Sequence, residues 1–370
     1  MSSPLDYQLN SSFSRSKDSF ISDPVLFGSI ILLLSFGLIA LYSASGQDLS
    51  MLYKQASYVI FGIILMLFIS KIQERYYRPF LINFFWIGLL LLIWVLLFPA
   101  QGYNTDRWID LGFFGFQPSE IVRLTLPLAA AYHLTRKDRQ PDLIDWIVVL
   151  FFIFLSSFLI FKQPDLGTSI IVFISGFLPV FLSGFPLSII FGGLLLIGAA
   201  SPFIWMSLSD YMKGRIFTFI DPNADPLGAG WNITQSKTAI GSGGIFGKGY
   251  LNGTQSQLDF LPESHSDFIF SVISEEFGLI GVGVLFILYG IILYRVFQIS
   301  FNAISQFTRV CSASLGFIFL VYLTINVCMV SGILPIVGVP LPLVSQGGTS
   351  IVVHLMAFGF ILSLKRGETW

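Results

Sequence analysis

Charged side chains are scarce in this chain of 370 residues: Asp, Glu, Lys and Arg make up 11% of it, against about a quarter in soluble domains. Hydrophobic residues make up 54%, and 39 residues are phenylalanine. This composition excludes a soluble globular protein and predicts a polytopic membrane protein. The formal net charge of -1 also excludes a broadly basic surface of the kind that binds nucleic acid.

Cysteine is equally scarce. Cys311 and Cys328 fall within one apolar stretch and cannot meet across a straight helix, which excludes a disulfide framework and a cysteine metal site. Residues 1–24 are polar and rich in serine, and they lead into an apolar stretch without a small-residue cleavage site. We therefore expect a retained membrane anchor rather than a removed signal peptide, and no inserted soluble domain.

Apolar stretches long enough to span a membrane recur along the chain, since about 20 mostly apolar residues cross the hydrocarbon core as a helix. Ten stretches qualify, of which the fourth is the weakest: 25–45, 54–71, 79–98, 118–135, 145–163, 167–184, 187–206, 268–294, 310–330 and 346–364. We expect an all-α polytopic membrane protein with about ten transmembrane helices. One membrane domain, 25–366, would carry cytoplasmic tails at 1–24 and 367–370 and a large extracytoplasmic loop, 207–266, between spans 7 and 8.

Lysine and arginine set the expected orientation, because cytoplasmic connections carry an excess of both. With the N-terminus inside, the inner connections hold Arg15, Lys17, Lys71, Arg75, Arg78, Arg136, Lys137, Arg139, Arg295, Arg309, Lys365 and Arg366. The outer face holds fewer, several of them in the long loop, which counts little for topology: Lys54, Arg107, Lys162, Lys213, Arg215, Lys237 and Lys248. We therefore expect both termini in the cytoplasm and the loop on the periplasmic face of a bacterial inner membrane.

That orientation limits the chemistry. Nearly every polar residue of interest falls at the outer face, where no ATP is available: Trp108, Glu120, Arg123, Asp165, Arg215 and Asp267. A group transfer there uses no nucleotide and needs a donor that carries its own activation, such as a lipid-linked pyrophosphate.

Two motifs that precede helices hold candidate substrate contacts. Trp108 is either an interfacial anchor or a platform for a sugar ring, with Arg107 beside it as a phosphate contact. Asp165, which follows Pro164, is either the N-cap of the next helix or one of several acids at the outer face. The sequence leaves both alternatives open.

Glu120 and Arg123 lie three residues apart, on one face of a helix that Pro118 begins. Ionisable residues inside a membrane are functional candidates by default and usually have a partner. The pair is therefore either an internal ion pair that holds the bundle together or a functional site. In the functional interpretation Arg123 binds an anionic leaving group, and Glu120 positions it or joins a metal.

Asp267 opens the eighth span at the end of a polar, Gly-rich stretch, 221–270, whose aromatic and branched residues predict an ordered cap. It either stabilises the N-terminus of its helix or acts as a base. The helix N-terminus favours the ionised carboxylate, while partial burial raises its pKa. Glu275 and Glu276, about two turns deeper, are interpreted as structural polar contacts.

Two further stretches are informative through their backbone. The run 241–249, GSGGIFGKG, lacks the spacing of a nucleotide-binding phosphate loop, so we expect turns there that lend amides to an anion. The run 337–350, VGVPLPLVSQGGTS, is typical of re-entrant or extended backbone, which near a membrane must line a cavity or be buried in protein. We expect a cavity that opens on the outer side.

Together these stretches resemble the SEDS family (shape, elongation, division, sporulation), and its RodA branch more than its FtsW branch. The resemblance covers nearly the whole chain and rests on FQPSE at 116–120, QPDLGT at 163–168, the segment 225–270 with its GTQSQLDFLPE run, and SGILPIVGVPLPLVSQGG at 331–348. It implies a ten-span glycosyltransferase that polymerises lipid II into β-1,4 glycan strands during cell elongation. It also implies a class B penicillin-binding protein as partner within the elongation complex.

The resemblance implies residue roles as well, with an essential acid at Asp267 and further critical positions at Trp108, Glu120, Arg123 and Asp165. We expect an inverting transfer in which the acid accepts the proton of the 4-hydroxyl on the acceptor N-acetylglucosamine. That oxygen attacks C1 of the donor N-acetylmuramic acid, and undecaprenyl pyrophosphate leaves.

The charge of the leaving pyrophosphate needs neutralising, for which the candidates are Arg123, Arg107, Lys54 and Arg215. A divalent cation, Mg²⁺ or Mn²⁺, is an alternative source of part of that positive charge, and its candidate ligands are Asp267, Glu120 and Asp165. The chain departs from the usual family pattern at Arg123, where the family has Lys, and at Gln346, where it has Tyr.

Two other functions fit the same spans. A flippase or transporter of lipid-linked precursors would also have a central cavity, but with essential charges through the bilayer depth or at both faces. A non-catalytic scaffold for a cell-wall synthase explains the spans but not the clustered acids. The gathering of charges at the outer face therefore favours the transferase.

Overall fold

Helices make up nearly all of the regular secondary structure in the described chain. The structure is a computed structural model that describes residues 22–98, 107–110, 115–137, 139–208, 210–221, 228–258, 260–261 and 263–367, so most of both predicted tails lies outside it. In chain order the elements are α1 (Pro24–Ala44), α2 (Leu49–Lys71), α3 (Glu74–Tyr77), α4 (Leu81–Leu97), β1 (Ile109–Asp110), β2 (Gly115–Phe116), α5 (Pro118–Thr135), α6 (Leu143–Lys162), α7 (Leu166–Leu182), α8 (Leu187–Ser207), α9 (Asp210–Ile220), α10 (Ala229–Gly243), α11 (Thr254–Gln257), α12 (Ile269–Phe301), α13 (Gln306–Val330) and α14 (Gly348–Gly367).

Each of the ten predicted spans falls on one long helix. Among the described residues, seven helical segments are long and apolar enough to cross a membrane: α1, α2, α3 with α4, α6, α12, α13 and α14. Leu166–Leu182 and Leu187–Phe203 are apolar but shorter, and α5 belongs to neither group. The all-α, polytopic membrane fold is confirmed, while ten crossings remain a prediction.

Helix α5 lies between two hydrophobic cores and is buried along almost its whole length. Leu124 and Leu128 pack into a core formed mainly by α1, α12, α13 and α14, whereas Val122 and Leu126 pack into one formed by α4, α6 and α7. A helix buried on all sides has no face left for solvent or lipid. Charged residues on α5 must therefore find their partners inside the protein.

The long polar stretch, 207–266, is more helical than its composition indicates, because it contains α9, α10 and α11. The buried positions of α10 recur every three or four residues and are mostly small: Gly230, Ile233, Ser236, Ala239 and Gly243. Small residues let two helices approach closely. A Cβ atom at Gly243 would lie 2.0 Å from the Ser274 carbonyl oxygen, and the Ser236 and Ser271 hydroxyls are 2.8 Å apart.

Gly278 interrupts α12 with φ 61° and ψ -161°, and the glycine-rich run 241–249 repairs the break. A helix break leaves carbonyl and N–H groups unpaired, which is costly in a membrane. Four hydrogen bonds of 2.9–3.2 Å satisfy them: Lys248 N to Glu275 O, Gly249 N to Glu276 O, Leu279 N to Gly244 O and Ile280 N to Ile245 O. The amides that we expected at an anion therefore serve the helix backbone instead.

Two buried acids fasten the same loop, in agreement with their structural interpretation. The Glu275 carboxylate accepts hydrogen bonds from the Lys248 ammonium (2.6 Å) and from the Thr254 N–H and hydroxyl (both 2.9 Å). The next residue, Glu276, accepts hydrogen bonds from the Ser43 hydroxyl of α1 (2.5 Å) and from the backbone N–H groups of Leu251 and Gly253 in the loop. These contacts hold the loop against the start of α12, just after Asp267.

At the other end of the bundle, acids and cations are paired with one another. Asp23, the N-cap of α1, is fully buried, and its carboxylate contacts Arg295 on α12 (2.7 Å) and Lys365 on α14 (2.8 Å). Asp145 on α6 pairs with Lys137 at 2.7 Å. The three cations belong to the set that the sequence assigns to the inner connections.

Candidate active site

Two adjacent cavities lie near the ends at which α5, α7 and α14 begin. Cavity A, of about 550 Å³, has a polar lining that includes Lys54, Gln55, Tyr58, Glu120, Tyr322 and Gln346. Cavity B, of about 670 Å³, also contains Arg215 and Glu263 in its wall. Most of its lining residues are apolar: Leu166, Ile170, Met212, Ile216, Ile336 and Val337. Both cavities contain Arg107, Trp108, Asp165, Asp267 and Gly338 in their walls.

Asp267 therefore stands at the junction of the two cavities. It is half-buried in the turn before α12, and no described residue hydrogen-bonds to its carboxylate. Gly338, at φ 75°, passes close to it, because a Cβ atom there would lie 3.4 Å from Asp267 Oδ2. Burial of the carboxyl and the nearby Glu263 raise the pKa of Asp267 to about 6, with Arg215 acting in the opposite direction.

The non-helical segment 332–347 holds the backbone of this turn in place. The buried Asn326 amide donates to the carbonyls of Asp267 (2.9 Å) and Val339 (2.7 Å), and so joins the two segments. The Ser345 hydroxyl donates to Ser266, and the Gln346 N–H donates to His265 (2.9 Å). As expected for such backbone, the segment lines both cavities.

Asp165 is the N-cap of α7, which is one of the two alternatives that the sequence left open, and it also contacts Arg107. Its Oδ1 accepts the Thr168 N–H (3.1 Å) as the N-cap of α7, and its Oδ2 lies 3.2 Å from Arg107 Nη1. Arg107 also donates from Nε to the Gln163 carbonyl (3.0 Å). The pair β1–β2, with Ile109 opposite Phe116, places Trp108 in the walls of both cavities.

Glu120 and Arg123 form a buried ion pair, with 2.5 Å between Oε2 and Nη2 and 3.3 Å between Oε1 and Nη1. Glu120, 7% exposed, lines cavity A, but Arg123, 2% exposed, lines neither cavity A nor cavity B. This arrangement differs from the expectation that Arg123 contacts the leaving group, because α5 is enclosed by protein and turns the guanidinium inward.

The remaining candidate cations reach the cavities. Lys54 lies on α2, which begins at its N-cap Asp48, earlier than the predicted span, and it lines cavity A without an ion-pair partner among the described residues. Arg215, on α9, lines cavity B, and its positive charge lowers the pKa of Asp267.

The three acids that we expected to share a metal do not form a common ligand set. No group of three His, Cys, Asp or Glu side chains in the described residues is placed to hold a metal ion. Two of the three, Glu120 and Asp165, are already paired with arginines. As arranged in the described residues, the three acids do not form a shared three-carboxylate site, and a divalent cation stays a prediction.

Three residues of this region escaped the sequence prediction. Tyr322 and Asn326 lie four residues apart on the apolar helix α13, a spacing that marks a shared face. His354, on α14, is an ionisable residue within a span, which is itself a functional signal. All three are visible as isolated polar groups in apolar helices, but their partners come from distant parts of the chain.

Comparison with known proteins identifies the family. The protein-family model described as cell cycle protein, which is named for FtsW, RodA and SpoVE, matches residues 24–369 of this chain. The chain belongs to this family. The SEDS resemblance predicted from the motifs is thereby confirmed.

Relatives and solved structures of this family cover almost the full chain. The peptidoglycan glycosyltransferase MrdB of Escherichia coli (strain K12) is 43% identical over 343 residues, which span 92% of this chain and 93% of that protein. Stage V sporulation protein E of Bacillus subtilis (strain 168) is 32% identical over 351 residues, spanning 91% and 94%.

Among solved structures, a chain of a peptidoglycan synthase complex that coordinates polymerization and crosslinking is similar with a TM-score of 0.82 at 28% identity, covering 94% of this chain and 98% of that chain. The rod shape determining protein RodA of Thermus thermophilus has a TM-score of 0.71 at 25% identity, covering 94% and 97%.

Proposed function

We propose that this SEDS protein is a peptidoglycan glycosyltransferase that polymerises lipid II, with Asp267 as its general base. The observation that carries the proposal is the position of Asp267 at the junction of two cavities. A polymerase must hold two glycan substrates at once, with the reacting atoms between them. A carboxylate shared by two substrate-sized cavities meets that requirement.

The different linings of the two cavities support one assignment of donor and acceptor. The donor carries its pyrophosphate on the reacting C1 atom and its polyprenyl chain on that pyrophosphate, so the pyrophosphate and the start of the chain lie near the reacting atoms. Cavity B offers apolar walls for the polyprenyl chain, with Arg215 and Arg107 for the pyrophosphate. Cavity A, with Trp108 and Tyr58 as aromatic surfaces and Lys54 at its wall, takes the acceptor sugars.

The reaction follows from this arrangement. Asp267 accepts the proton of the acceptor 4-hydroxyl as that oxygen attacks C1 of the donor, and the C1–O bond to pyrophosphate breaks. The α-linked donor becomes a β-1,4 glycan. Arg107 and Arg215 stabilise the negative charge of the departing pyrophosphate, which needs no proton.

A divalent cation remains a prediction of the sequence alone. It would require Glu120 or Asp165 to release its arginine, and no step here uses it. Titration of Mg²⁺ or Mn²⁺ into chelator-treated protein, with polymer yield as the readout, tests the requirement.

The protein would lie in a bacterial inner membrane with both termini in the cytoplasm. The paired cations Arg295 and Lys365 support this orientation, because they lie at the end remote from Asp267. A class B penicillin-binding protein would be the partner, in line with the polymerizing and crosslinking complex that contains a similar chain.

A flippase is the second candidate. Both substrate-sized cavities share Asp267 and lie toward one end of the bundle, which favours chemistry at one face over transport across the membrane. Purified protein with labelled lipid II, analysed on a gel, separates the two. We expect a ladder of glycan strands from the unmodified chain and from the control Asp221→Asn, an exposed acid outside both cavities, and none from Asp267→Asn. Translocation across liposomes without a ladder would contradict the proposal.

A further inference from the structure

Arg123 has no direct route to a substrate, although it lies just behind the wall of cavity A. Among the described residues, the cavity that Arg123 lines has a volume of about 20 Å³ and lies between α5, α13 and α14, where His354 and Phe319 also line it. A cavity of about this size holds one water molecule and cannot admit a phosphate group. The charge of Arg123 must therefore act on the substrate through another residue.

Three side chains fix the guanidinium from different directions. Glu120 binds its edge as a fork, the ring centroid of Tyr322 lies 4.2 Å from Cζ, and His354 Nδ1 lies 3.4 Å from Nη2. A guanidinium can use its edge for a carboxylate and its face for an aromatic ring at the same time, which the ammonium of lysine cannot do. The site is therefore built for arginine.

His354 is held in turn by its own neighbours. Its Nδ1 lies 2.8 Å from the Ser350 carbonyl oxygen, and because a carbonyl only accepts, we assign the proton to Nδ1. The imidazole therefore contacts Arg123 by packing and not as an acceptor. Its ring meets Tyr322 edge to face, with centroids 5.3 Å apart. The two rings together leave the guanidinium one orientation, toward Glu120.

We propose that Tyr322 and His354 are positioning residues, which hold Arg123 so that Glu120 presents an ionised carboxylate to cavity A. There Glu120 accepts hydrogen bonds from hydroxyl or amide groups of the bound sugar. This inference rests on the proposed function, because it assigns the acceptor sugars to cavity A. It places Arg123 outside direct contact with pyrophosphate.

The first test removes the two rings separately. We expect Tyr322→Leu and His354→Leu each to lower kcat for lipid II polymerisation by about tenfold, with KM changed by less than about threefold. Tyr322→Phe, which keeps the ring, should retain most of the activity. The matched control is His133→Leu, a buried histidine at the far end of α5, whose kcat per folded molecule should stay within about twofold.

The second test is a double-mutant cycle. Arg123→Lys should lower kcat/KM by about 30-fold in the unmodified chain but by less than about threefold in a Glu120→Gln background, because only coupled residues depart from additivity. If Glu120→Gln folds poorly, Glu120→Gln/Arg123→Met, which removes both buried charges, serves instead as the background in which Tyr322→Leu and His354→Leu are measured. Tyr322→Leu and His354→Leu should likewise have little effect in either background.

The outcomes separate two failures. If the unmodified chain makes no glycan, the proposed function fails. If the unmodified chain polymerises lipid II, and Arg123→Lys lowers kcat/KM by the same factor with Glu120 and with Gln at position 120, then Arg123 acts directly on the substrate. That result overturns the inference. The inference would also be overturned if Tyr322→Leu and His354→Leu had the same kcat as the unmodified chain.

Discussion

Asp23 and Asp267 each stand just before a long helix, yet their surroundings give them opposite properties. Asp23, before α1, is fully buried between Arg295 and Lys365. Burial raises its pKa, but the hydrogen bonds of Arg295 and Lys365 outweigh that effect and leave the pKa below its usual value. Asp267, before α12, forms no ion pair with a cation in the described part of the chain, and burial lifts its pKa to about 6.

The comparison shows that a helix N-terminus does not by itself decide what an aspartate does. A carboxylate clamped by two cations stabilises the fold and cannot take up a proton near neutral pH. A carboxylate left half-buried between two cavities is ionised at neutral pH yet close enough to its pKa to accept one.

The largest contrast is expected from the asparagine variant of Asp267. Asp267→Asn should lower the polymerisation rate by about 1000-fold or more, within the range for removing a general base. The variant should be as stable as the unmodified chain or more stable, by about 1–3 kcal/mol near pH 7, because a carboxylate with a raised pKa is disfavoured by folding when ionised. Gel analysis of labelled lipid II measures the rate, and thermal unfolding measures the stability. A variant that is active but less stable than the unmodified chain would contradict the difference proposed between Asp267 and Asp23.

The asparagine variant of Asp23 should behave in the reverse way. Asp23→Asn leaves Arg295 and Lys365 without their buried acid, and breaking such a group typically costs about 3–5 kcal/mol. We therefore expect a clear fall in the unfolding temperature, while activity per folded molecule stays within about twofold. Loss of activity at unchanged stability would show that the two ends are coupled.

The two acids should also give opposite pH trends in stability. Folding raises the pKa of Asp267, so its contribution declines as pH rises from about 4 to about 6. Folding lowers the pKa of Asp23, so its contribution is present above the usual aspartate pKa and is lost as pH falls through the lowered value. Comparing each asparagine variant with the unmodified chain across this range in thermal unfolding isolates each trend.

Lys54 should produce a smaller effect, confined to substrate binding. Lys54→Ala removes a cation from the wall of cavity A, and we expect KM for lipid II to rise by about tenfold with little change in kcat. The matched control is Lys162→Ala, a lysine packed on Phe158 outside both cavities. Equal effects of the two substitutions would mean that general surface charge, and not cavity A, attracts the substrate.

The smallest expected effect concerns the groups around Asp267. Because Arg215 lowers the pKa of Asp267 and Glu263 raises it, Arg215→Gln should move the acidic limb of the pH–rate profile upward and Glu263→Gln downward. Each shift should be about half a pH unit, since both side chains are partly exposed and screened. Shifts in the same direction in both variants would exclude a direct electrostatic effect.

Much of the fold could be predicted from the sequence, because lipid as a solvent requires long apolar helices. What escaped prediction was α10, whose buried face is built from small residues such as Gly230 and Gly243, and the break at Gly278. These glycines are recognised only once their neighbours are known: a Cβ atom at Gly243 would lie 2.0 Å from the Ser274 carbonyl oxygen of α12, and one at Gly278 would lie 2.3 Å from the Gly247 nitrogen.

The candidate site was predicted in the same uneven way. Polar residues near the membrane are conspicuous in a sequence, and four that were singled out for that reason lie in the wall of cavity A: Asp267, Glu120, Trp108 and Asp165. The orientation of Arg123 was not predicted from the sequence, because it depends on the two hydrophobic cores that enclose α5. His354 and Tyr322 lie more than 190 positions from Arg123 in the chain, and only the packing of α5, α13 and α14 brings them together.

The pH dependence of kcat/KM for lipid II polymerisation tests the role of Asp267 most directly. The profile should rise about tenfold per pH unit up to about pH 6 and then level off, as for a single base that must be ionised. The Asp267→Asn variant should show only a low rate without this limb. A limb that persists in Asp267→Asn, or a flat profile in the unmodified protein between pH 4 and 7, would contradict the account.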